Sequence, residues 1–464
     1  MKSDTIPATP PEPPAEGAET PPAGQGHGGH PTGFVGGRNL PPLAAACLSF
    51  HRATALAACK QAAALDGASH RRLLAYTDRS GLTLHVWRAL RGAGLASQTP
   101  FCQDYEERVR KNCVRLERRR GEIAELLALF HAAGLRVAVL KGVTLEPDFV
   151  SDACDRVQYD LDFYLSEEHA RSAYELLVAW GHEPLTAAEG PTDHLPALAR
   201  KTGWEWRGDF FDVDIPAAIE LHFRLWDSVF ECIPLGFDPE PLARLVDRNG
   251  IPSLELSDQL AGCALHMLRH LFRGSLRLSH LYEIAQFLEN HAEDRGFWHD
   301  WRASPNIPLR RLCAAAFGLA VRVFHCRLAP EAQPEMQLVP CGARAWLEKF
   351  SGDAVQPGHR RKEEALLQLS FVAGWRDGLR VLRRRLLPLS IPGPIDAVYL
   401  PAGTLSPGRR LLRAGRQGAF MVSRALYHAR ALFGFPWAAL SWLISSRWGP
   451  DPGATPASQI RDPD

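Results

Sequence analysis

The segment YDLDFYL, residues 159–165, constrains this chain more than any other, because two aspartates interrupt a run typical of a buried β-strand. Side chains two residues apart on a strand point to the same face, so Asp160 and Asp162 are predicted to project together. Two like charges this close repel each other unless a cation lies between them or one carboxyl stays protonated. Mg²⁺ is suited to this position because it binds one or two carboxylates together with substrate phosphates.

The segment AAIELHFRL, residues 217–225, repeats this alternation of apolar and polar residues. If it lies beside the first strand, Glu220 becomes the third carboxylate of a site for two metal ions, which stabilise the attacking and leaving oxygens of an in-line displacement. Asp212 and Asp214 compete for this role. We favour Glu220 because its strand alternates more regularly. His222 shares the face of Glu220, where it would orient the site or contact phosphate.

Positive charge and a glycine precede the aspartates. The short apolar run LRVAVLKG is predicted to be a buried strand that ends at Lys141 and Gly142. A glycine there lets the backbone approach a phosphate, and a lysine supplies positive charge. Arg156, four residues before Asp160, would reach a triphosphate or an acidic neighbour. The alternative is that these charges belong to the protein surface.

The pattern of hydropathy along the chain predicts one compact α/β or α+β domain with helical regions before and after it. Further strands are expected in GWEWRG (203–208) and FFDVDI (210–215), and a helix with Ser257 as its N-cap is expected after them. The predicted parts are a disordered Pro/Gly-rich tail (1–40), an N-terminal helical segment (41–120), an α+β core (121–226), a helical domain (227–390) and an Arg-rich, partly apolar C-terminal tail (391–464).

Composition narrows the class of protein. The net charge is +1, so the whole molecule has no electrostatic field that would select nucleic acid. The apolar fraction, 46% of residues, is ordinary for a globular protein. The ten cysteines show no CxxC pair, and the N-terminus lacks the apolar run of a signal peptide, so we expect reduced thiols in a cytoplasmic protein.

The C-terminal tail carries the one marked charge imbalance. Eleven arginines and two acids lie between residues 376 and 430, and the uncharged run ALFGFPWAALSWLISS (431–446) follows. This run has 16 residues and contains Pro436, whereas a membrane-spanning helix needs ~20. We therefore expect a docked helix or a peripheral contact with a membrane interface, and find no strong signal for nucleic-acid binding.

Two histidines, His266 and His270, are spaced i, i+4 on a predicted helix, a spacing that can ligate zinc. No glutamate follows His266 as in a zinc protease, and the sequence offers no evident third ligand. A place in the helical core or lining a substrate site is therefore the favoured interpretation. His280 and Glu283 are interpreted as surface or inter-helix contacts.

Taken in order, these motifs resemble a known family. LRVAVLKGVTL, then RVQYDLDFYL, then a helix ending AWGHEP and then IELHFRLW are similar to the uncharacterised nucleotidyltransferase family of bacterial proteins, within the DNA polymerase β-like nucleotidyltransferase superfamily. The later stretch SDQLAGCALHMLRHLFRGSLRLSHLYEIAQFL is similar to that family's helical continuation. The resemblance covers about residues 43–390.

The resemblance implies a nucleotidyltransferase-like mixed sheet flanked by helices. It implies transfer of NMP from an NTP such as ATP to a hydroxyl of an unidentified small-molecule or protein acceptor, with release of pyrophosphate. Asp160, Asp162 and Glu220 would then be the catalytic residues and ligate two Mg²⁺ ions. Lys141, Gly142 and Arg156 would bind the nucleotide.

The chain departs from the wider superfamily at the phosphate turn. It has Lys-Gly-Val where the superfamily has Gly-Ser, and 18 positions separate Gly142 from Asp160. Glu283 stands where the smaller family commonly has Asp. The alternative hypothesis is therefore a catalytically inactive binding or scaffold protein of the same fold, associated with a membrane or nucleic acid through its Arg-rich tail.

Overall fold

A computed structural model describes residues 40–185, 193–204, 206, 208–237, 240–354, 362–387 and 407–448. The predicted disordered tail, up to residue 39, lies outside the described residues, as do residues 391–406 and 449–464 of the predicted C-terminal tail.

Helices make up most of the described chain. In order they are α1 (Leu40–Cys47), α2 (Arg52–Ala63), α3 (Gly67–Ser80), α4 (Thr83–Gly92), α5 (Cys102–Ala132), α6 (Glu167–Ala179), α7 (Ser228–Glu231), α8 (Leu256–Phe272), α9 (Leu278–Asn290), α10 (Arg295–Ala303), α11 (Ile307–Phe324), α12 (Cys341–Ala354), α13 (Glu364–Leu369), α14 (Trp375–Leu386) and α15 (Pro407–Trp448).

A mixed sheet of seven strands lies among these helices, in the order β3-β4-β5-β2-β1-β7-β6. The strands are β1 (Val137–Leu140), β2 (Asp160–Leu165), β3 (Glu183–Pro184), β4 (Leu198–Ala199), β5 (Ala218–His222), β6 (Val246–Arg248) and β7 (Ile251–Ser253). The central strand β2 runs antiparallel to β1 and parallel to β5. This arrangement confirms the predicted α+β fold with helical parts at both ends.

One face of the sheet is apolar because the central strands alternate. Leu161 and Phe163 of β2 and Leu221 of β5 pack on α5 and α6 in one buried cluster. The ring of Phe163 lies edge-on to Phe130 of α5, with centroids 5.4 Å apart. Burial of this face leaves the polar residues of β2 and β5 on the opposite face, beneath α8.

A second core joins the two ends of the chain. Buried residues of α1–α4 belong to the same apolar cluster as those of α8, α9, α11 and α12. The amide of Phe50 donates to the carbonyl of Phe324 (2.8 Å), and the side chains of Ser49 and His325 are hydrogen-bonded. The N-terminal helices and the later helical region are thus packed together.

The two strands expected within 203–215 are wrong for the described residues there. Asp209 and Asp212 accept hydrogen bonds from the amides two residues later, which stabilises turns and competes with strand pairing. Arg115 of α5 donates to the carbonyls of Phe210 and Asp212. The backbone of this segment is therefore satisfied by side chains.

Two features of the following region also differ from expectation. Short strands β6 and β7 occur within the stretch predicted to be helical, and β7 adds to the sheet beside β1. Helix α8 is capped by Glu255, whose carboxylate accepts from the amide of Ser257 at 3.0 Å. The N-cap is therefore Glu255, two residues before the predicted Ser257, and its carboxylate satisfies a free amide of the first turn.

Candidate active site

The parallel pairing of β2 and β5 brings the acidic residues together. In this register Asp162 is paired with Glu220, and Asp160 with Ala218. On the other side of β2, Leu140 is paired with Asp162, so Lys141 emerges from β1 beside the same carboxylate. Asp162 and Glu220 are buried. The predicted adjacency of the two motifs is therefore present in the fold.

His222 bridges two of the carboxylates. Its Nε2 atom lies 3.0 Å from Oδ1 of Asp162 and 3.3 Å from Oε2 of Glu220. Burial disfavours the charged ring, but hydrogen bonds to these two carboxylates outweigh burial and raise the pKa of His222 to about 9. At neutral pH the ring is therefore a cation between two anions. Its ligand atom and those of the two carboxylates lie within 4.8 Å of one another.

Lys141 supplies a second positive charge. Its Nζ atom lies 3.1 Å from Oδ2 of Asp162. Burial opposes the charge, but attraction to Asp162 and then to Asp160 and Glu220 keeps the pKa of Lys141 above its ordinary value. Its backbone has φ +54° and ψ −156°. A non-glycine residue in this region is strained by about 1–3 kcal/mol, and such strain concentrates at functional sites.

Asp160 differs from its neighbours. Within the part of the chain that the structure describes, its carboxylate makes no hydrogen bond or ion pair, although it is largely buried. Burial, and then repulsion by Asp162, raise the pKa of Asp160 to about 6. Asp160 is therefore a suitable ligand for a cation. A bound cation would offset both the cost of burying its charge and its repulsion by Asp162.

Gly142 allows the chain to turn closely against the start of β2. Its φ is +56°, and a Cβ atom at this position would lie 2.3 Å from Nε2 of Gln158. That side chain is buried and donates to the carbonyl of Asp160 at 2.9 Å. Both conformation and space therefore require glycine here. The turn at Gly142 thus lies against Gln158, whose side chain is hydrogen-bonded to the aspartate strand.

Arg156 lies in an ion pair. Its Nε atom is 2.8 Å from Oε1 of Glu283 on α9; Glu283 is buried and Arg156 is partly buried. The sequence proposed either a triphosphate or an acidic neighbour as its partner, and the acidic neighbour is Glu283. The pair fixes the segment before β2 against the helices above the sheet. Glu283 thus contacts the segment before β2, whereas the sequence suggested a surface or inter-helix contact.

The competing carboxylates Asp212 and Asp214 lie elsewhere. Asp212 accepts from Nε1 of Trp204 at 2.9 Å, and Asp214 pairs with Arg118 of α5 at 2.9 Å. Through these contacts neither carboxylate reaches strand β2 or β5. The structure brings Glu220 together with Asp162 and leaves these two aspartates in the turn beside α5.

Three histidines converge above Lys141. His266 and His270 of α8 meet His280 of α9, and the ring centroids are 4.6, 4.7 and 5.3 Å apart. The sequence lacked a third partner for the α8 pair, and the fold provides His280. One nitrogen from each ring lies within 4.8 Å of the others.

Hydrogen bonding nevertheless argues against a metal site in this cluster. Nδ1 of His266 lies 3.3 Å from Nζ of Lys141 and 3.2 Å from a guanidinium nitrogen of Arg269. Both neighbours are donors only, so Nδ1 accepts and the proton of the neutral ring is on Nε2, which is then no ligand. Burial, and then Lys141, hold the pKa of His266 well below its ordinary value.

Sequence reasoning missed two residues of this network. Arg269 of α8 pairs with buried Asp193 at 2.6 Å. A continuous chain of polar contacts therefore runs from Asp162 through Lys141, His266 and Arg269 to Asp193. The spacing of Arg269 three residues after His266 places both on one helix face and could have signalled this role. Nothing in the sequence around Asp193 marks it.

A cavity lies between the sheet and α8, beside the carboxylates. It is lined by Lys141, His222, Gln259, Cys263, His266 and Arg269 among others. Its floor is the end of β1 and β5, and its roof is one face of α8. The site thus has an acidic centre on the sheet and a basic, histidine-containing wall on the helix.

The comparison with protein families agrees with this geometry. The model of a family described as uncharacterised nucleotidyltransferase matches residues 66–325, which include every site residue discussed above. The chain belongs to this family. Membership supports nucleotidyltransferase activity in general terms. Neither the curated proteins nor the solved structures include a significant match to the chain.

Proposed function

We propose that this protein is a Mg²⁺-dependent nucleotidyltransferase that transfers NMP from an NTP to a hydroxyl of an acceptor. The observation that carries the proposal is the pairing of Asp162 with Glu220, two residues after Asp160, on adjacent parallel strands. An acceptor oxygen forms a bond to the α-phosphorus, the bond from that phosphorus to the bridging oxygen breaks, and pyrophosphate leaves. The hydroxyl proton is released to solvent, so NTP and acceptor give nucleotidylated acceptor, pyrophosphate and one proton.

The donor set fits a hard divalent cation. Three carboxylates offer the oxygen ligands that Mg²⁺ prefers, and Asp160 has no partner among the described residues. Asp160, Asp162 and Glu220 would hold the ions. When bound, Mg²⁺ would neutralise charge on the phosphates and lower the pKa of the acceptor hydroxyl.

Three residues of the protein would position the triphosphate and balance the charge of the carboxylates. Lys141 is held at the end of β1 by a strained backbone, from which its ammonium faces the carboxylates and is available to a triphosphate. Gly142 lets the backbone turn closely against Gln158, where it would lie beneath the phosphates of a bound nucleotide. His222 keeps Asp162 and Glu220 ionised in the absence of a metal ion, because it compensates their charge.

The small cavity under α8, of about 30 Å³, marks the side from which the acceptor is proposed to approach. It adjoins His222 on one side and Arg269 on the other. Enclosure by the helix would exclude water from the reacting oxygen, which favours transfer to the acceptor over hydrolysis. We propose a hydroxyl of a small molecule or of a protein as acceptor.

Release of pyrophosphate from each of the four NTPs, measured with the full chain in the presence and absence of Mg²⁺, tests this function. Activity is expected to need Mg²⁺ and to be lost in Asp160→Asn and Asp162→Asn. Activity that persists in both variants would contradict the assignment of the metal ligands.

The alternative is a protein of the same fold that binds a nucleotide without turnover. The Lys-Gly-Val sequence at the phosphate turn favours it. Calorimetric titration with NTP, with and without Mg²⁺, separates the two functions. Mg²⁺-dependent binding that yields no pyrophosphate with any NTP would support the alternative.

A further inference from the structure

Helix α15 is attached to the body of the protein by one side. Phe435 and Ala438 are buried against the main helical core. The indole of Trp442 donates to the carbonyl of Gly342 at the start of α12, at 2.7 Å. These contacts lie at i, i+3 and i+7 along α15, which defines the inner face of the helix.

The opposite face of α15 is apolar and exposed. Large residues recur along it at spacings that keep one helical face, with smaller residues (Gly415, Ala419 and Ala429) between them. Their exposed fractions are 77% for Leu411, 61% for Val422, 52% for Leu426, 83% for Phe433, 75% for Trp437, 50% for Leu440 and 55% for Ile444. We call these seven residues the outer stripe. From Leu411 to Ile444 it extends for about 50 Å.

The charge of α15 has one sign. The helix contains seven arginines and no aspartate or glutamate, and the acid-free sequence extends from residue 397 to 450. Arg416 and Arg430 are exposed on the flank of the outer stripe. A long apolar stripe with Trp and Phe, flanked by arginines, is typical of a helix that lies in the plane of a membrane interface.

We propose that the outer stripe of α15 binds the surface of a membrane that contains anionic lipids. The apolar residues would enter the boundary between headgroups and acyl chains, and the arginines would pair with lipid phosphates. The positive charge of α15 favours an anionic membrane surface over a second copy of the chain as the partner of the outer stripe. Two copies joined through this face would bring together two helices with seven arginines each and no acidic residue within either helix.

This function is independent of the nucleotidyltransferase reaction. The described part of the chain holds no helix with the length and apolar character to cross a bilayer. The contact proposed is therefore that of a helix lying along the surface, with the inner face of α15 still packed on α12.

Co-sedimentation of the full chain with vesicles tests the proposal. Vesicles of phosphatidylcholine alone are compared with vesicles containing 30% phosphatidylglycerol, at low and high salt. The chain is expected to bind the anionic vesicles at least about tenfold more tightly, and less tightly as salt rises. The double variant Phe433→Ser/Trp437→Ser is expected to lose at least about tenfold in vesicle affinity.

The matched control is Leu56→Ser/Val178→Ser, which replaces two exposed apolar residues on α2 and α6. It is expected to bind vesicles like the unaltered chain. Both variants change exposed side chains, so circular dichroism and thermal unfolding should match the parent. Arg416→Gln/Arg430→Gln is expected to reduce the preference for anionic vesicles while weak binding to neutral ones remains.

Two results would overturn the proposal. The first is absence of binding to anionic vesicles, or binding that Phe433→Ser/Trp437→Ser leaves unchanged. The second is a stable dimer in light scattering that this variant dissociates, since a second copy would then cover the outer stripe.

Discussion

Asp162 and Glu220 occupy paired positions on adjacent parallel strands, and Nε2 of His222 lies 3.0 and 3.3 Å from their carboxylates. Lys141 contacts the other oxygen of Asp162. Two buried anions are thus held beside two cations of the protein, while Asp160 has no partner among the described residues. The fold thus stabilises Asp162 and Glu220 as anions without a metal ion. Asp160 is the carboxylate that a bound cation would stabilise.

The first prediction concerns Asp160. In the metal-free protein at pH 7, Asp160→Asn is expected to raise the free energy of unfolding by up to about 3 kcal/mol, because the folded state raises the pKa of this carboxyl to about 6. The penalty is present above about pH 6 and vanishes below about pH 4, where the carboxyl is neutral in both states. Urea unfolding at pH 7 and pH 4 measures this difference.

Asp162→Asn is the matched comparison, since it removes a carboxylate that pairs with Lys141 and His222. It is expected to destabilise the protein, because buried cations lose their partner. Both variants should lose nucleotidyl transfer by at least about 100-fold. Equal changes of stability in the two variants would contradict the different environments described here.

The second prediction assigns the third carboxylate. Glu220→Gln is expected to lower Mg²⁺-dependent pyrophosphate release by at least about 100-fold, because Glu220 lies in register with Asp162. Asp214→Asn is the control, since that side chain is exposed and pairs with Arg118. It should retain the parent rate. Loss of activity in Asp214→Asn and not in Glu220→Gln would reverse the assignment.

The third prediction concerns pH and His222. Its pKa in the folded protein is about 9, above the ordinary 6.5, so the stability it contributes is fully present below pH 6.5 and is lost as the pH rises through 9. His222→Asn is therefore expected to destabilise the protein more at pH 6 than at pH 9.5, by up to about 3 kcal/mol of difference.

Urea unfolding of both proteins at the two pH values measures this. His299→Asn is the control, because His299 is exposed and far along the chain on α10. It should show little effect at either pH. A destabilisation by His222→Asn that is the same at pH 6 and pH 9.5 would mean that the ring is neutral in the folded protein.

The fourth prediction tests the turn at Gly142. Gly142→Ala places a Cβ atom 2.3 Å from the buried amide of Gln158 and also fixes an unfavourable positive φ. Gly134→Ala is the matched control, since its φ is +70° and no atom lies within 4 Å of the added Cβ. The control is expected to lose about 1 kcal/mol of stability from conformation alone.

Gly142→Ala is expected to lose clearly more, and to weaken NTP binding measured by calorimetry, because Gln158 must move away from Asp160. The control should bind NTP normally. Equal stabilities of the two variants would show that the turn tolerates a side chain and is not closely packed.

The fifth prediction separates two roles of Arg156. Arg156→Leu leaves Glu283 buried without its partner and is expected to lose about 3–5 kcal/mol of stability. Arg156→Leu/Glu283→Leu should recover most of this loss. If Arg156 also binds the nucleotide, as the sequence predicted, the double variant should be stable and still bind NTP weakly. If the double variant recovers both the stability and the NTP affinity of the parent, Arg156 has only a structural role.

Local sequence predicted the parts of this protein that depend on periodicity. The strand with Asp160 and Asp162, the strand with Glu220 and the helix between them follow from alternation and capping, and all three are present. The strand predicted at 210–215 is absent, because aspartate side chains and Arg115 satisfy the backbone there. Hydropathy alone does not reveal such side-chain hydrogen bonds.

The sequence by itself determined that two carboxylates share a face and that a third lies on a similar strand. Only the tertiary structure decided that Glu220 pairs with Asp162, because the register of parallel strands is set by contacts distant in the chain. It also brought His280 to the α8 histidines, Arg156 to Glu283 and Arg269 to Asp193. These partners lie between 10 and 127 residues apart in the chain, and burial in a common core selects them.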